Sequence, residues 1–326
     1  MKIFIYSAIL LSSISFAKTP VWVDYDVSYG RIIRDVDDGF ALITALQSKE
    51  LDVLGVSYGF GNISNLNYMN KITHKILRKV DRQDVEVFAG ARNQSEIFKN
   101  TDATKAMANA LKENPQLIIM AMGRLTNVAS LIKNYPSLKA NIKEVVINAG
   151  RRLEYETKVG RQQVIMPDTN IDDHLEAMKF VLESGVKVVM MPVEVMQDKF
   201  VTRHHLRQMR RGNYVSRWMA RNSIVWRWIW KFFPNSPGFI PWDVFIVTYV
   251  TNPEDFDCDD NIKVGLKYLK NNTSSLFRKK YRKEFKYFLV ASDALDSEYT
   301  GKYCYKMSDD HLDNIVDNWS VREPKL

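Results

Sequence analysis

Short apolar segments alternate with amphipathic segments over most of this chain, and the alternation is the strongest constraint on its fold. The apolar segments have the length of strands, whereas the amphipathic segments repeat apolar residues every three or four positions, as helices do. Val21–Tyr25 is the first predicted strand and Asp38–Ser48 the first predicted helix. The pattern predicts an α/β fold with a mainly parallel central sheet and helices on both faces. The other predicted strands are Leu51–Tyr58, Val85–Ala89, Leu117–Met122, Val145–Ala149 and Lys187–Pro192, and the other predicted helices are Leu66–Val80, Thr104–Glu113, Asn127–Lys133 and Asp173–Glu183.

The amino terminus has the pattern of a secretory signal. Lys2 precedes the apolar stretch Ile3–Phe16, and Ser15 and Ala17 are small residues at the positions that a signal peptidase reads. The stretch is too short to span a membrane, and a buried first strand is the alternative. We therefore expect a signal peptide over residues 1–17, a single domain over residues 18–326, and an exported protein, periplasmic or secreted. Since no later apolar run has spanning length, no transmembrane segment is expected.

Charge and cysteine content exclude some classes of partner. The chain carries a formal net charge of +8, with dense basic clusters at Arg203–Arg211 and Arg278–Lys283. Neither cluster contains a nucleic-acid motif, so we expect solvated faces and no nucleic-acid partner, with weak attraction to anionic surfaces as the alternative. Cys258 and Cys304 are too few for a zinc site. They are sufficient for one disulfide in an exported protein, but the sequence does not show that they meet.

Two acidic pairs lie close together near the end of the first predicted strand. Asp24 and Asp26 close that strand, and Asp37 and Asp38 open the helix that follows. Carboxylates so close in sequence repel one another unless a cation or a polar ligand lies between them. Ligands of open parallel sheets bind at the carboxyl ends of the strands, where other polar clusters of this chain also fall. The sequence therefore predicts a hard-metal site at this edge of the sheet.

The segment Arg217–Phe233 departs from the alternation because it is both basic and rich in tryptophan. We interpret it as an amphipathic helix that packs its aromatic side chains on the core or over a cleft. A lid over an aromatic ligand and a membrane-surface contact are the alternatives. Trp242 and Asp243 follow this segment, directly before another apolar run.

Taken together in order, these motifs resemble the inosine–uridine-preferring nucleoside hydrolase family. Members open with an apolar strand that leads into Asp-x-Asp-x-Gly-x-Asp-Asp. Here that signature is matched by Asp24-Tyr25-Asp26 and Asp37-Asp38. Further matches in family order are Gly39–Leu42, Leu51–Val56, Gly61-Asn62, Gly123-Arg124-Leu125-Thr126-Asn127, Asp168-Thr169-Asn170-Ile171, Met191–Val195 and Trp242-Asp243. The resemblance runs from about Val21 to Val250 and implies a nucleoside hydrolase-like open sheet of Rossmann type.

The resemblance also implies an activity and a set of roles. The activity is calcium-dependent hydrolysis of the N-glycosidic bond of a ribonucleoside, so the expected partner is a small-molecule nucleoside and the expected cofactor is Ca²⁺. Asp26 corresponds to the general base and to a calcium ligand. The other implied calcium ligands are Asp38, Asp243 and the Thr126 carbonyl, and the implied ribose ligands are Asp37, Asn62, Gln162, Asp168 and Asn170. The sequence leaves the oligomeric state open, a homo-oligomer included.

Three departures from the family pattern bear on specificity and activity. Trp242 stands where pyrimidine-tolerant members carry a histidine, and purine-preferring relatives have a tryptophan that stacks on the base, so we expect purine preference. Residues 27–36 separate the two acidic pairs where the family has a shorter link. Asp168 is one methylene shorter than the family's glutamate, and a displacement of about 1 Å in a positioning group can cost much rate.

Other functions fit the residues less well. A non-catalytic nucleoside- or sugar-binding relative of the same fold is the first alternative. The segment Val23–Ser28 also matches the nucleophile strand of haloacid-dehalogenase-type phosphatases, but that function leaves the order of the other clusters unexplained. Gly59-Phe60-Gly61-Asn62 lacks the third glycine of a dinucleotide fingerprint and is weak support for a Rossmann cofactor.

Overall fold

The computed structural model describes residues 17–156, 158–275 and 279–321. Apart from Ala17, the predicted signal peptide lies outside these residues. Within the described ranges, the strands are β1 (Thr19–Tyr25), β2 (Leu51–Tyr58), β3 (Val87–Ala89), β4 (Leu117–Ala121), β5 (Ile142–Ile147), β6 (Arg151–Arg152), β7 (Lys158–Val159), β8 (Val164–Ile165), β9 (Val188–Met190), β10 (Val201–Thr202), β11 (Gly238–Phe239), β12 (Phe256–Lys270), β13 (Phe285–Ala291) and β14 (Thr300–Met307).

Helices separate most of these strands. They are α1 (Asp37–Gln47), α2 (Leu66–Lys79), α3 (Asp102–Glu113), α4 (Thr126–Asn134), α5 (Thr169–Asp172), α6 (Leu175–Glu183), α7 (Val193–Met196), α8 (Arg203–Met209), α9 (Tyr214–Asn222), α10 (Ile224–Phe232), α11 (Val244–Thr251) and α12 (His311–Trp319). Short 3₁₀ turns occupy Gln94–Glu96, Pro136–Asn141, Pro253–Asp255 and Lys279–Tyr281. Among the described residues, no helix is long and apolar enough to cross a membrane.

One large sheet organises the described part of the chain. Its strand order is β3-β2-β1-β4-β5-β9-β14-β12-β13-β6, and the pairs from β3 to β14 are all parallel. The chain moves outward from β1 to β2 and β3 and then returns to the other side of β1 with β4. The strand order therefore reverses between β1 and β4, which is where open α/β sheets bind their ligands.

Both faces of the sheet are buried, as the hydrophobic runs predict. Along β1, Val21, Val23 and Tyr25 belong to one apolar core, whereas Trp22 belongs to the core on the opposite face. Side chains that alternate in this way can all be buried only where helices cover both sides. The predicted α/β architecture with a mainly parallel sheet is therefore confirmed.

The carboxyl-terminal strands were not predicted. β12 pairs antiparallel with both β14 and β13, so the last part of the chain extends the parallel sheet with a mixed edge. Cys258 on β12 and Cys304 on β14 are cross-strand partners, and the two form a disulfide. The pairing that the sequence left open is thus present in the structure.

The segment 27–36 between the two acidic pairs is anchored at its ends and exposed at its tip. Tyr29 is fully buried, whereas Ile32 and Ile33 at the tip are 79% and 65% exposed. Near the end of the segment, Asp35 returns to the carboxyl edge of the sheet and lines a cavity there. The longer link therefore bulges outward and also adds a carboxylate to the site.

Candidate active site

A cavity of about 310 Å³ lies at the carboxyl end of the sheet. Its lining comes from segments that follow β1, β4 and β5 and from the region around α10. Carboxylates occupy one end and aromatic side chains the other. The carboxylate end contains Asp26, Asp35, Asp37, Asp168 and Asp243, and the aromatic end contains Trp226, Trp230, Phe233 and Trp242.

Asp26 follows β1 directly and is held by three donors. The backbone N–H of Asn62 donates to Oδ2 at 3.0 Å, and the Asn62 side-chain amide donates to Oδ1 at 2.9 Å. The Arg124 guanidinium donates to Oδ2 at 3.2 Å. This close approach requires Gly61, because a Cβ at that position would lie 1.6 Å from Asp26 Oδ2 and 2.4 Å from Arg124 Nη1. The turn after β2 therefore fixes the orientation of the Asp26 carboxylate.

Three further carboxylates form a compact cluster beside Asp26. Asp37 and Asp38 lie in the first turn of α1, and Asp243 directly precedes α11; one oxygen of each lies within 4.8 Å of the others. The positive end of α1 favours negative charge in that first turn. Asp38 also accepts hydrogen bonds from the Asp26 backbone N–H at 3.3 Å and from the Asn62 side chain at 3.1 Å. An all-oxygen set of this kind suits a hard cation such as calcium or magnesium.

Negative charge exceeds positive charge at this end of the cavity, as the raised pKa values of its carboxyl groups indicate. Burial raises the pKa of Asp26 from 3.8 to about 6, although the Arg124 guanidinium acts to lower it. Burial also raises the pKa values of Asp37, Asp38 and Asp243 well above their ordinary range, and neighbouring carboxylates raise them further. Like charges at this distance do not all ionise in a low-dielectric site. A bound cation would remove this conflict, so the residues fit a metal.

The predicted ribose ligands Asp168 and Asn170 lie beside the carboxylate cluster. Asp168 accepts a hydrogen bond from the Gly150 backbone N–H at 2.8 Å, and burial raises the pKa of its carboxyl to about 6. The Asn170 side chain donates to the Asn148 carbonyl at 3.1 Å. Both residues line the cavity at the start of α5. They leave polar atoms available for a hydroxyl-rich ligand.

The aromatic end is apolar and carries no cation. Trp242 packs against Trp230 with ring centroids 5.9 Å apart. The indole N–H of Trp226 is buried and has no hydrogen-bond partner among the described residues. No His, Lys or Arg is among the described residues that line the cavity. A flat apolar ligand with an acceptor atom would therefore suit this end. Part of the tryptophan-rich segment thus lies over a cleft, as its composition predicted.

The structure does not bring Thr126 and Gln162 to this cavity. The Thr126 hydroxyl pairs with His174 Nδ1 at 2.6 Å, and the Thr126 carbonyl accepts a hydrogen bond from the Ser130 hydroxyl at 2.8 Å. Gln162 is exposed, and its side-chain amide donates to the Phe232 carbonyl at 3.3 Å. Both predicted roles stay predictions.

Three side chains of the site were not predicted to act there. Asp35 comes from the segment that is long in this chain, and its proximity to the acidic pairs was the available signal. Arg124 follows β4; its side chain is buried and forms ion pairs with both Asp26 and Asp173. Tyr281 lines the cavity and donates its hydroxyl to Asp173 at 3.0 Å. It lies more than 100 residues further along the chain than Asp173, and no local pattern marks it.

The fold and the site define an α/β protein with a carboxylate-lined ligand cavity at the switch point of a parallel sheet. The family model for inosine-uridine preferring nucleoside hydrolases matches residues 21–284, and the chain belongs to that family. This result confirms the resemblance drawn from the sequence motifs.

Individual relatives show how far the similarity extends. The pyrimidine-specific ribonucleoside hydrolase RihA of Salmonella newport is 29% identical over 208 residues, which cover 55% of this chain and 64% of the relative. The chain spans 57% to 64% of the length of four curated ribonucleoside hydrolases that it matches. A plant nucleoside hydrolase structure has a TM-score of 0.75 at 15% identity, with 94% of this chain and 100% of that chain covered. A purine-preferring ribonucleoside hydrolase from Gardnerella vaginalis has a TM-score of 0.68 at 16% identity, with 91% and 97% covered. At these identities the structures show a shared fold.

Proposed function

We propose that this protein hydrolyses the N-glycosidic bond of ribonucleosides, prefers purine nucleosides, depends on calcium, and releases free base and ribose. The observation that carries the proposal is the polarity of the cavity, with carboxylates at one end and tryptophans at the other. A nucleoside has the same polarity, because its sugar is rich in hydroxyls and its base is a flat aromatic ring. The cavity volume of about 310 Å³ suits a ligand of this size.

The carboxylate end is suited to the sugar. Cleavage of the C1′–N bond builds positive charge on the ribose ring, and fixed carboxylates around the ring stabilise that charge. Asp37, Asp168 and Asn170 would accept or donate hydrogen bonds to ribose hydroxyls. Asn62 already binds Asp26 and Asp38, so it would position these groups as well as contact the sugar.

Asp26 is the proposed general base. Its carboxylate would take a proton from the water that attacks C1′, and its orientation is already fixed by Asn62 and Arg124. Asp38 and Asp243 would hold the cation together with Asp26, and Asp37 of the same cluster would contact the ribose. When bound, a calcium ion supplies positive charge that lowers the pKa of water and neutralises the cluster.

The aromatic end supports purine preference. Trp242 lines the cavity next to Trp230, where either ring offers a face for base stacking. No imidazole, ammonium or guanidinium lies among the described lining residues, so none of them offers such a group to protonate the leaving base. A base that takes the proton on its own ring therefore departs most readily. A purine has a ring nitrogen that accepts this proton. One similar protein is named pyrimidine-specific and another purine-preferring, so the base specificity of this chain has to be measured directly.

The decisive experiment compares five nucleosides on one preparation. The protein spanning residues 18–326 is incubated with inosine, adenosine, guanosine, uridine and cytidine, each with calcium and with a chelator, and release of free base is measured. We expect release from the purine nucleosides with calcium and at least tenfold less release with chelator. Equal turnover of purines and pyrimidines would contradict the specificity, and full activity under chelation would contradict the metal requirement.

A second candidate function is calcium-dependent nucleoside binding without turnover. The observation that favours it is the ion pair between Arg124 and Asp26, because a guanidinium on the proposed base reduces its basicity. Calorimetric titration with inosine separates the two functions. Binding heat without any release of hypoxanthine would identify a binding protein, whereas release of the base identifies the hydrolase.

We also propose that the chain is exported, on the basis of its amino-terminal pattern alone. Mass spectrometry of the protein recovered from a bacterial periplasm should give a mature chain that begins at Lys18. A chain that retains residues 1–17 would contradict the proposal.

A further inference from the structure

A second concave surface lies on the opposite side of α10 from the cavity. It is a groove of about 770 Å³ between α8, α10 and two neighbouring loops. Six of its lining side chains are basic: Arg161, Arg203, Arg207, Arg210, Arg227 and Lys231. No carboxylate lines the groove among the described residues. This composition is the opposite of the carboxylate cluster, although the two sites share a helix.

The local sequence explains how the cations come together. Arg203 and Arg207 lie on α8, and Arg210 follows its last residue with helical backbone angles, so the three are spaced at i, i+4 and i+7, a spacing that shares one face of a helix. Arg227 and Lys231 have the same i, i+4 relation on α10. The two helices turn these basic rows toward one groove. The arrangement thus brings like charges together, at an electrostatic cost to the folded protein.

Within the described residues, none of the six basic side chains forms an ion pair with a carboxylate. Burial lowers the pKa of Arg227, and the positive charges of Arg203 and Arg210 lower it further. Elsewhere on the surface, cations such as Arg82, Lys99 and Lys187 do pair with acids. The groove is therefore short of negative charge, and an anion would relieve its repulsion.

An exposed aromatic ring lies among these cations. Trp228 is 45% exposed and lines the groove, and the charged groups of Arg227 and Lys231 lie 5.6 and 5.2 Å from its ring centroid. Phe232 stacks beside it and is 68% exposed. An arginine guanidinium can donate two parallel hydrogen bonds to two oxygens of one phosphate. Several arginines together therefore suit a ligand that carries more than one negative phosphate charge.

We propose that this groove binds a multiply charged phosphate ligand, either free in solution or as the headgroup of an anionic phospholipid. The ligand would be held by Arg203, Arg207 and Arg210 from one side and by Arg227 and Lys231 from the other. The site is separate from the proposed nucleoside cavity, and its occupation does not depend on hydrolase activity.

Two probes without a nucleoside test the proposal and distinguish the two sources. Inorganic tripolyphosphate is titrated into the protein spanning residues 18–326 while tryptophan fluorescence and binding heat are recorded. In a parallel arm, the protein is sedimented with phosphatidylcholine vesicles that contain or lack phosphatidic acid, whose phosphomonoester headgroup can carry two negative charges. We expect saturable binding to one or both anionic probes and no binding to the neutral vesicles, with affinity that falls as salt increases. Binding to tripolyphosphate identifies a soluble ligand, and binding only to the anionic vesicles identifies the lipid headgroup.

A pair of double variants assigns the binding to the groove. Arg203→Gln with Arg210→Gln removes two cations from the groove, and we expect binding at least tenfold weaker. Arg282→Gln with Lys283→Gln removes the same charge from the other basic cluster, where both side chains are exposed, and should change binding less than twofold. Circular dichroism checks that both variants fold. Absence of binding to every probe, or equal weakening by the two double variants, would overturn the proposal.

Discussion

The two ends of the cavity are built in different ways. Asp26 directly follows β1, and Asp37 lies in the first turn of α1. Regular secondary structure therefore holds the carboxylate end in place. Trp226 and Trp230 come instead from α10, a helix whose other side faces solvent. The first end is polar and held by several hydrogen bonds, whereas the second is held by apolar packing. We infer that the carboxylate end performs the chemistry and that the aromatic end selects the base.

The largest expected effect is at the carboxylate end. Asp26→Asn keeps the shape of the side chain but removes the base, so we expect kcat to fall by about 10³-fold, within the range of general base catalysis. Release of free base from inosine is the measurement, and Asp52→Asn on the exposed side of β2 is the matched control. A variant at position 26 that keeps more than a tenth of the activity would rule out the proposed role.

Next in size is the loss of the buried cation beside the base. Arg124→Met leaves Asp26 and Asp173 without their shared positive partner, and breaking a buried ion pair from one side costs about 3–5 kcal/mol. Denaturant unfolding in the presence of chelator measures the change in free energy. The exposed Arg92→Met should have little effect. Unchanged stability of the Arg124 variant would show that Asp26 does not need the guanidinium.

Calcium should stabilise the carboxylate end by a slightly smaller amount. A ligand that binds only the folded state at 100 times its Kd adds about 2.7 kcal/mol to the free energy of unfolding. We expect calcium to raise the Tm of the chelated wild type, and to have little effect on the Tm of Asp243→Asn. If calcium stabilises both proteins equally, the cation binds somewhere else.

The aromatic end should respond through substrate binding rather than through stability. Trp242→Ala removes a stacking surface worth about 1–3 kcal/mol, so KM for inosine should rise by about 5- to 150-fold with a smaller change in kcat. Trp228→Ala, on the outer face of α10, is the control and should leave KM unchanged. A loss in kcat without a change in KM would place Trp242 in the chemical step and would break the division between the two ends.

The smallest effect concerns the pH dependence of stability. The pKa of Asp168 is raised from 3.8 to about 6, so the folded protein binds this proton more tightly than the unfolded chain does. Its share of the free energy of unfolding is therefore present below pH 3.8 and is lost as the pH rises from about 4 through 6. Asp168→Asn does not titrate and should flatten the pH dependence in chelated protein between pH 4.5 and 7. Asp293→Asn is the exposed control, and an equal pH dependence of both variants would argue against a raised pKa.

The sequence was a good guide wherever a motif follows a strand. The parallel strands, the acidic pairs and the position of Asn62 could be predicted, because the carboxyl ends of parallel strands meet at one edge. Asp168 and Trp242 follow β8 and β11, which lie outside the large sheet, and only motif order indicated their place. The strands β12 to β14 could not, since β12 is long, partly exposed and mixed in composition. Its pattern matches neither a buried parallel strand nor a regularly alternating one.

The partners of the predicted residues were harder to foresee. Arg124 contacts Asp26 although 98 positions separate them in the sequence. The periodicity of apolar residues does not predict contacts between side chains so far apart in the chain. Thr126 and Gln162 fit the motif order, but neither is among the described residues that line the cavity, so their predicted roles stay predictions. Motif order therefore predicts which loops meet at the edge, whereas side-chain direction within each loop requires the structure.

The disulfide between Cys258 and Cys304 has a consequence for where this fold can form. It closes a loop with a sequence separation of 46 residues, which contains β13 and Tyr281 of the cavity lining. In the chain-entropy picture, closing a loop of that length lowers the entropy of the unfolded chain by the equivalent of about 4 kcal/mol. In a reducing compartment the chain loses this contribution at the edge that supplies part of the cavity. Recombinant protein for the experiments above is therefore best made under oxidising conditions, where the covalent link joins the mixed edge to the parallel sheet.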